Sequence, residues 1–364
     1  MQHCHDVPVT QEANLLYRFE PLSDFRWPHF LQRHPRSSVF HTLEWLEALR
    51  RTYGYEPIAV TTSSPRADLT NAMVFCRVDS WLTGRRLVSL PFSDHCDALV
   101  DTTTDMAQIV SALERQLRYE RLRYVEIRPT HELETSNLES LSRNSYCLHQ
   151  IDLRPSLSVV FNNCHKDSTQ RKIRRAERER LVYEDGRSDS LLDAFYRLML
   201  LTRRRHMLPP QPKKWFENLI DCFGDTLKIR VASKDKKPIA AILTLRYKDT
   251  LVYKYGCSDA QLHYLGGMHL LFWRSIEEAK QDGLNTFDLG RSEWDDRGLI
   301  TFKDRWGAKR SGITYLRLLP SKQSKATYVS AGAEWKGRIA RKVFRYLPDR
   351  VLRAAGGLIY PHVG

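Results

Sequence analysis

A Gly-Arg-Ser triplet, Gly290-Arg291-Ser292, directly follows a predicted strand at 286–289. In α/β sheets, ligands collect beyond the carboxyl ends of strands, and an arginine guanidinium can hold a phosphate or carboxylate through its planar fork. The alternative is a salt bridge from Arg291 to one of the nearby acids, which are Asp288, Glu293, Asp295 and Asp296. The triplet alone leaves both interpretations open.

Two consecutive glycines, Gly266 and Gly267, stand just before an apolar periodic segment at 268–279 that predicts a helix. Glycine lets a backbone approach a ligand closely, and the free N–H groups at a helix start favour an anion such as phosphate. A simple loop is the alternative, and it is the more frequent meaning of a lone Gly-Gly pair.

The first half of the chain contains a compact polar cluster, Ser93-Asp94-His95-Cys96-Asp97. A Cys–His dyad requires the two side chains to face each other, whereas adjacent residues of an extended chain point apart. We therefore favour Asp94 or His95 as a cleft residue or general base over His95 and Cys96 as a nucleophilic pair.

Four arginines, Arg171, Arg174, Arg175 and Arg178, recur at helical spacing and predict one basic face. Two interpretations are balanced. Either the face binds phosphate-rich ligands, or it is a solvated surface mixed with Glu177 and Glu179.

The same order of elements is predicted in both halves of the chain. The first half gives a helix at 38–53, strands at 57–60, 72–78 and 86–90, a helix at 106–118 and a strand at 124–127. The second half gives helices at 190–204 and 215–223, strands at 228–232, 239–247 and 251–256, a helix at 268–279 and a strand at 286–289. A strand meander followed by a helix and a strand forms a mixed sheet flanked by helices. We therefore predict an α/β (α+β) fold with two tandem domains, 13–150 and 151–320, or, as the alternative, one large mixed sheet.

The net charge of +14 is concentrated in two places. One is the arginine-rich segment 166–180, and the other is the tail 321–364, which we predict to be helical and which carries nine Lys or Arg against two acidic residues. Concentrated basicity points to anionic partners at these places. Around 343–353 the tail interleaves apolar and basic residues, a pattern that suits peripheral contact with an anionic membrane or docking on the protein's own surface.

Cysteine usage and hydropathy predict a reduced, soluble cytoplasmic protein. The seven cysteines are widely spaced without a C-x-x-C, and no apolar run approaches the ~20 residues of a membrane span. His3-Cys4-His5 could bind a metal weakly, but a flexible N-terminus explains it better, so we expect no metal site.

Taken together, the motifs resemble the FemAB-like acyltransferases of the GNAT superfamily. The resemblance rests on their order and spacing: Asp288-Leu289-Gly290-Arg291-Ser292, then Gly298-Leu299, Phe302-Lys303 and Trp306-Gly307-Ala308. Supportive matches in the first half are Phe40-His41-Thr42-Leu43-Glu44-Trp45 and Ser89-Leu90-Pro91-Phe92-Ser93. The resemblance covers about Val39 to Leu319.

The resemblance implies two GNAT-like domains, the second catalytic, and transfer of an acyl or aminoacyl group to a primary amine of a cell-envelope or other acceptor. Lys303 would stabilise the oxyanion, Arg291 with Ser292 would bind substrate, and Phe302 and Trp306 would shape and dry the cleft. Acyl-CoA or aminoacyl-tRNA would serve as co-substrate, with no tightly bound cofactor. His263 and Met268 replace residues of the usual coenzyme A loop, which leaves room for aminoacyl-tRNA.

Two further expectations complete this interpretation. The protein would be cytoplasmic, with the inner face of the membrane as a site of contact. The competing hypothesis is a non-catalytic module of the same fold that binds an anionic polymer, tRNA or a lipid-linked precursor.

Overall fold

The computed structural model describes residues 16–131, 141–320, 344 and 346–363, and within these ranges the chain forms one twelve-stranded sheet covered by helices. The strands are β1 Tyr17–Phe19, β2 Glu56–Thr61, β3 Met73–Ser80, β4 Gly84–Val88, β5 Tyr124–Ile127, β6 Leu141–Asp152, β7 Val182–Gly186, β8 Leu227–Lys234, β9 Lys237–Tyr247, β10 Thr250–Ser258, β11 Thr286–Ser292 and β12 Lys309–Leu318. The helices are α1 Arg26–Arg33, α2 Leu43–Tyr53, α3 Thr103–Tyr119, α4 Leu157–Asn163, α5 Arg171–Arg178, α6 Asp189–Arg205, α7 Lys213–Phe223, α8 Gly267–Gln281, α9 Arg297–Asp304 and α10 Asp349–Ile359. A π-helical turn, Lys166–Gln170, precedes α5.

The sheet order repeats from both edges towards the centre. It runs β1-β2-β3-β4-β5-β12-β6-β11-β10-β9-β8-β7. Strand β6 follows β5 in the chain but pairs with β11, while β12 follows β11 but pairs with β5. Each half therefore sends its last strand into the other half, and β6 and β12 pair antiparallel along their whole lengths. The predicted boundary at 150/151 falls inside β6, so the two proposed units share one sheet.

Most predicted elements are present, and their ends have local causes. Thr42 separates a single turn of 3-10 helix from α2, because its side chain accepts a hydrogen bond from the Trp45 N–H and caps the helix. Gly54 ends α2 in the left-handed region at φ +69°. The predicted end of the strand at 289 was wrong, because β11 continues through Ser292 and pairs there with β6.

Alternation along the strands assigns the helices to two layers. In β3, Val74, Cys76 and Val78 join the core that contains α2, α6 and α7, whereas Met73 and Phe75 join the core under α3. A separate core lies under α8. Successive strand residues point to opposite faces, so α2, α6 and α7 cover one face, and α3 and α8 cover the other. The α2–α7 layer is common to both halves, because Trp45 and Trp215 meet edge to face at 5.3 Å.

The described part of the tail docks on the rest of the protein. Gly356 of α10 lies so close to the Pro210 carbonyl that an added Cβ would stand 2.0 Å from its oxygen. The Tyr55 hydroxyl donates to the Tyr360 carbonyl at 3.1 Å. Residues 321–343, like the His3-Cys4-His5 segment, lie outside the described residues. No helix in the described ranges is long and apolar enough to cross a membrane.

Candidate active site

Strands β10 and β11 pair in parallel and then separate. The pairing runs from Thr250 opposite Thr286 to Val252 opposite Asp288, after which β10 contains an irregularity at Tyr253–Tyr255. Strand β11 has its own irregularity between Asp288 and Arg291, where Gly290 adopts φ +70°. Bulges of this kind commonly re-aim side chains next to functional sites. They open a gap at the centre of the molecule.

An ion pair from both halves of the chain fills this gap. Lys254 of β10 donates to the Asp94 carboxylate at 2.7 Å, and the two side chains are only 6% and 17% exposed. Asp94 also lies against Gly290, since a Cβ added there would stand 3.3 Å from its carboxyl carbon. Burial raises the pKa of Asp94, but Lys254, Arg291 and Lys303 together bring it below its usual value. Asp94 is therefore a fixed negative charge among cations.

Aromatic rings surround the Lys254 ammonium. Its Nζ atom is 5.3 Å from the Phe40 ring, 5.7 Å from Trp45 and 5.4 Å from Tyr255. Cation–π attraction stabilises an ammonium that has lost most of its water. Burial nevertheless lowers the pKa of Lys254 against the opposing effect of Asp94. The Phe40–Trp45 motif thus forms a wall of this site although it belongs to the first half.

Lys303 reaches the same region from α9. It is 2% exposed, and its Nζ donates to the Gly290 carbonyl at 2.8 Å and the Arg291 carbonyl at 3.1 Å. Burial lowers the pKa of Lys303 to about 8, against the opposing charges of Asp94 and Asp288. Lys303 therefore lies against the Arg291 backbone.

His95 forms a second buried pair in this region. Its Nε2 lies 3.1 Å from Asp288 Oδ2, while its Nδ1 is buried without a partner among the described residues. Burial lowers the pKa of His95, but the Asp288 hydrogen bond and charge raise it overall. Cys96 points away, towards His41 Nε2 at 3.3 Å, and burial raises the pKa of its thiol to about 12. The two neighbours diverge as expected, and Cys96 is unsuited to act as a thiolate.

Arg291 packs against aromatic rings. Its guanidinium lies 4.2 Å from the Tyr146 ring centre and 5.4 Å from that of Tyr315, and it pairs with Glu293 at 3.0 Å. Of the salt bridges considered for Arg291, the one to Glu293 is thus present. Its neighbour Ser292 is buried, and its hydroxyl has no partner in the described ranges.

A cavity of about 740 Å³ opens beside the ion pair. Lys254, Tyr255 and Gly256 of β10 line one side, and Gly267 with Phe302 lines another. Its cationic lining residues are Lys172, Arg203, Arg205 and Lys254, accompanied by His206, His263 and Asp296. Ligand sites are commonly concave, mostly apolar and edged by a few convergent polar groups. The Arg291 and Lys303 side chains lie behind its lining rather than on it.

The two glycines before α8 have different surroundings. A Cβ on Gly266 would stand 2.4 Å from the Lys172 carbonyl oxygen, so this glycine permits α5 to pack on the start of α8. Gly267 lines the cavity, where the first N–H groups of α8 begin. The Lys172 carbonyl therefore fills the space beside Gly266 in which a ligand was predicted to approach the backbone.

The aromatic residues of the motif also differ from each other. Phe302 lines the cavity, whereas Trp306 is fully buried and stacks on Phe272 at 5.3 Å and on His269 at 5.8 Å. Trp306 supports the cavity wall from the core rather than lining it.

The arginine stripe is exposed on α5, beside the cavity. Ile173 and Ala176 are the buried residues of α5, and the helix packs against α8. Arg171, Arg174, Arg175 and Arg178 are all exposed. Arg175 pairs with Glu179 at 3.4 Å. For this one arginine of the four, the contact fits the alternative of a solvated face.

Sequence reasoning missed Lys254, Asp288 as the partner of His95, and the two tyrosines around Arg291. Lys254 lies inside the predicted strand at 251–256, so a charged residue in an otherwise apolar strand was the available signal. Tyr146 and Tyr315 lie on β6 and β12, neither of which was predicted, and their meeting depends on the strand exchange.

The chain is similar in sequence and in fold to several known proteins. Residues 165–303 match the family model described as an acetyltransferase (GNAT) domain. The UDP-N-acetylmuramoylpentapeptide-lysine N(6)-alanyltransferase of Weissella viridescens is 24% identical over 311 residues, which are 78% of this chain and 89% of the relative. The crystal structure of FemX matches with a TM-score of 0.64 at 13% identity, covering 83% of this chain and 97% of its own. A tandem GNAT protein from the clavulanic acid biosynthesis pathway matches with a TM-score of 0.51 at 9% identity, covering 84% and 98%.

Residues 165–303 thus match a GNAT acetyltransferase domain, and the chain has the fold of FemX over most of its length. The chain is similar to the FemAB-like enzymes, and these relatives support acyl or aminoacyl transfer to nitrogen as its activity. The alternative of a non-catalytic binding module is not favoured by these relatives.

Proposed function

We propose that the protein transfers an aminoacyl group from tRNA to a primary amine of a cell-envelope precursor, with acyl-CoA as the alternative donor. The relative from Weissella viridescens is named for alanyl transfer to the lysine of such a precursor. The observation that carries the proposal is a pair of buried ammonium groups beside the cavity, Lys254 and Lys303. Both lie close to the carboxylate of Asp94, and Lys303 also lies close to that of Asp288.

This charge distribution suits an acyl-transfer transition state. The neutral amine attacks the carbonyl carbon of the donor, a C–N bond forms, and the carbonyl electrons move onto oxygen. The intermediate then collapses and expels the donor's ester oxygen or, with acyl-CoA, its thiol sulfur. A preorganised ammonium in a site with little water stabilises the oxyanion more than it stabilises the neutral ground state. We assign this role to Lys303, which has one N–H beyond those given to the Gly290 and Arg291 carbonyls.

The proton lost by the amine requires an acceptor. His95 and Asp94 are the two candidates, and their surroundings differ. The Nδ1 of His95 is unpartnered among the described residues and could accept a proton, while Asp288 would stabilise the resulting imidazolium. Asp94 is held as an ion by Lys254, so it is the weaker base and the better electrostatic partner.

The cationic edge of the cavity supports a donor rich in phosphates. Lys172, Arg203 and Arg205 lie on the cavity lining, and the arginines of α5 extend this basic surface away from it. A tRNA acceptor end follows such a surface over several phosphates, whereas coenzyme A needs only a compact loop. At the start of α8, the space beside Gly266 is filled by the Lys172 carbonyl. We therefore place aminoacyl-tRNA before acyl-CoA.

We also propose that the protein works at the inner face of the cytoplasmic membrane, with the basic tail in contact with it. The support is the composition of 321–364 and the envelope precursor named for the relative.

A donor-exchange experiment tests the chemistry. Purified protein is incubated with a cell extract and either labelled acetyl-CoA or tRNA charged with labelled amino acids, and transfer to amines is measured by mass spectrometry. We expect label transfer from charged tRNA, with Lys303→Ala reducing turnover about 10²–10³-fold and leaving donor affinity nearly unchanged. Lys309→Ala is the matched control, because Lys309 is an exposed lysine six residues away. Full activity in Lys303→Ala would contradict the assigned role, and transfer from acetyl-CoA alone would contradict the donor.

A further inference from the structure

The turn between β3 and β4 exposes two large apolar side chains. Trp81 is 87% exposed and Leu82 is 60% exposed. The backbone below them is well held, because the Ser80 hydroxyl accepts hydrogen bonds from the Leu82 and Thr83 N–H groups. Exposed tryptophan at a rigid hairpin tip contributes nothing to the core, so folding does not explain it.

Helix α10 presents a second apolar surface. Its buried residues are Leu352 and Gly356, which face the protein. Val351, Ala354 and Leu358 are exposed at helical spacing along another face, and Leu358 is 73% exposed. The helix therefore has two apolar faces. One face packs against the protein, and the other is exposed.

The two surfaces meet at the end of the described chain. The Trp81 ring contacts the His362 ring edge to face at 5.6 Å, and Ser80 Oγ lies 3.0 Å from His362 Nδ1. The Thr83 hydroxyl and Arg86 guanidinium both donate to the His362 carbonyl at 2.8 Å. His362 follows Leu358 by only four residues and precedes the exposed Val363. The hairpin tip thus adjoins the end of the tail, and we refer to the exposed apolar residues Trp81, Leu82, Val351, Leu358 and Val363 together as the hairpin–tail surface.

Positive charge surrounds this surface. Arg85 beside the hairpin tip is 62% exposed and lies 3.9 Å from Asp79, and Arg350 on α10 is exposed. Asp79 also pairs with Arg77 at 3.2 Å, and Asp349 pairs with Arg204 at 2.6 Å. Apolar side chains with tryptophan, bordered by arginines, suit the boundary between lipid headgroups and acyl chains.

We propose that the hairpin–tail surface docks on a membrane containing anionic phospholipid. Trp81 and Leu82 enter the interface from the hairpin, and the outer stripe of α10 lies along it. Docking also orients the enzyme. Gly356 packs on Pro210 and the Tyr360 hydroxyl donates to the Pro209 carbonyl, directly after the cavity-lining Leu208. The membrane-bound face therefore lies next to the segment that edges the cavity. This inference rests on the membrane location in the proposed function and names the surface that makes the contact. Vesicle binding is measured without substrate, so its failure is distinct from a failure of the transfer reaction.

Vesicle sedimentation of the full chain tests the proposal. One set of vesicles is phosphatidylcholine alone, and the other also contains phosphatidylglycerol. We expect the wild type to bind the anionic vesicles more strongly, and Trp81→Ala with Leu82→Ala to bind at least ~10-fold more weakly, because two interfacial apolar anchors are lost. Arg85→Gln with Arg350→Gln should reduce the preference for anionic vesicles and its dependence on salt.

The matched control is Phe25→Ala. Phe25 is 78% exposed but lies at the other end of β2 and β3, where its neighbour Arg26 donates to the Ser64 and Ala67 carbonyls. This variant should bind vesicles like the wild type, and thermal unfolding should show that all variants are folded. Equal binding by the Trp81/Leu82 variant, or no wild-type binding to either vesicle, would overturn the proposal. Self-association that the Trp81/Leu82 substitutions abolish, without vesicle binding, would assign the surface to a second copy of the chain instead.

Discussion

At the scale of single residues, the centre of the molecule holds charges that a protein core normally excludes. Lys254 and Lys303 are buried, yet each has partners that hold it in place: Asp94 and aromatic rings for the first, two backbone carbonyls for the second. Burial of an ammonium costs free energy, which is tolerated where the charge is used in a reaction. The two lysines therefore support the proposed reaction centre more strongly than the cavity does.

The lowered pKa of Lys303 predicts a pH dependence of turnover. Since burial brings this pKa to about 8, the side chain is charged below that pH and neutral above it. If its charge stabilises the oxyanion, kcat at saturating donor should fall as pH rises past about 8. Lys303→Arg should turn over slowly, because a planar guanidinium copies a compact ammonium poorly, but it should lack this falling limb. Measured kcat–pH profiles check this, with Lys309→Ala retaining the limb. If kcat of Lys303→Arg still falls above about pH 8, the fall is caused by another titrating group and not by Lys303.

Gly266 gives a stability prediction with an internal control. Gly266 and Gly283 flank α8 with φ of +85° and +72°, but an added Cβ meets the Lys172 carbonyl at 2.4 Å only at Gly266. Gly283→Ala should lower the free energy of unfolding by about 1–2 kcal/mol, the cost of a left-handed alanine. Gly266→Ala should lower it by about 2 kcal/mol more, because α5 must also move. Denaturant unfolding checks both values, and equal losses would show that the α5 contact is unimportant.

At the scale of elements, α5 connects the basic surface to the cavity. Lys172 lines the cavity while the four arginines of the same helix face outwards. A helix can divide its faces in this way because residues three and four apart share a side. We therefore treat α5 as an extension of the donor site rather than a solvated helix.

The arginines of α5 predict a salt-dependent affinity for nucleic acid. Replacing Arg171, Arg174, Arg175 and Arg178 together by Gln should weaken tRNA binding and reduce the slope of log affinity against log salt by up to about 3, since each phosphate contact contributes ~0.7–0.9. Titrations at several salt concentrations measure this slope. The control replaces four exposed arginines of the first half, Arg33, Arg50, Arg51 and Arg66, by Gln. An unchanged affinity and slope would make the stripe only a solvated face.

At the scale of the whole molecule, the exchange of β6 and β12 binds the halves together. Strand β6 pairs with β11 and β12 of the second half, and β5 of the first half pairs with β12. The site depends on this exchange, because Asp94 from the first half meets Lys254 and Gly290 from the second. That the halves superpose as similar folds stays a prediction, supported by the repeated sheet order.

The exchange predicts that the halves do not fold alone. In fragments 13–150 and 151–320, β6 and β12 lose their mutual pairing, and β5 and β11 each lose a neighbour. Each fragment produced separately should show little cooperative unfolding by circular dichroism, because it exposes unpaired strand edges and the shared core. Co-production of the two should restore a folded complex. Two fragments that each unfold cooperatively would establish independent domains.

The sequence by itself determined most local elements and the family resemblance. Apolar periodicity located the strands and helices of both halves except β1, β6, β7, β12 and a few short helices, the end of α2 was predicted at 53, and the motifs from Asp288 to Ala308 indicated an acyltransferase. These signals are local, since they depend on propensity, spacing and capping.

Only the tertiary structure decided the strand exchange and the composition of the site. Nothing in the spacing of Phe40, Asp94 and Lys254 shows that they meet, because pairing across more than a hundred residues depends on which strand edges are free after the rest of the sheet has formed. The same holds for Gly266, whose local signal suggested a ligand but whose neighbour is the carbonyl of Lys172. Backbone glycines permit a close approach, but the sequence does not say what approaches.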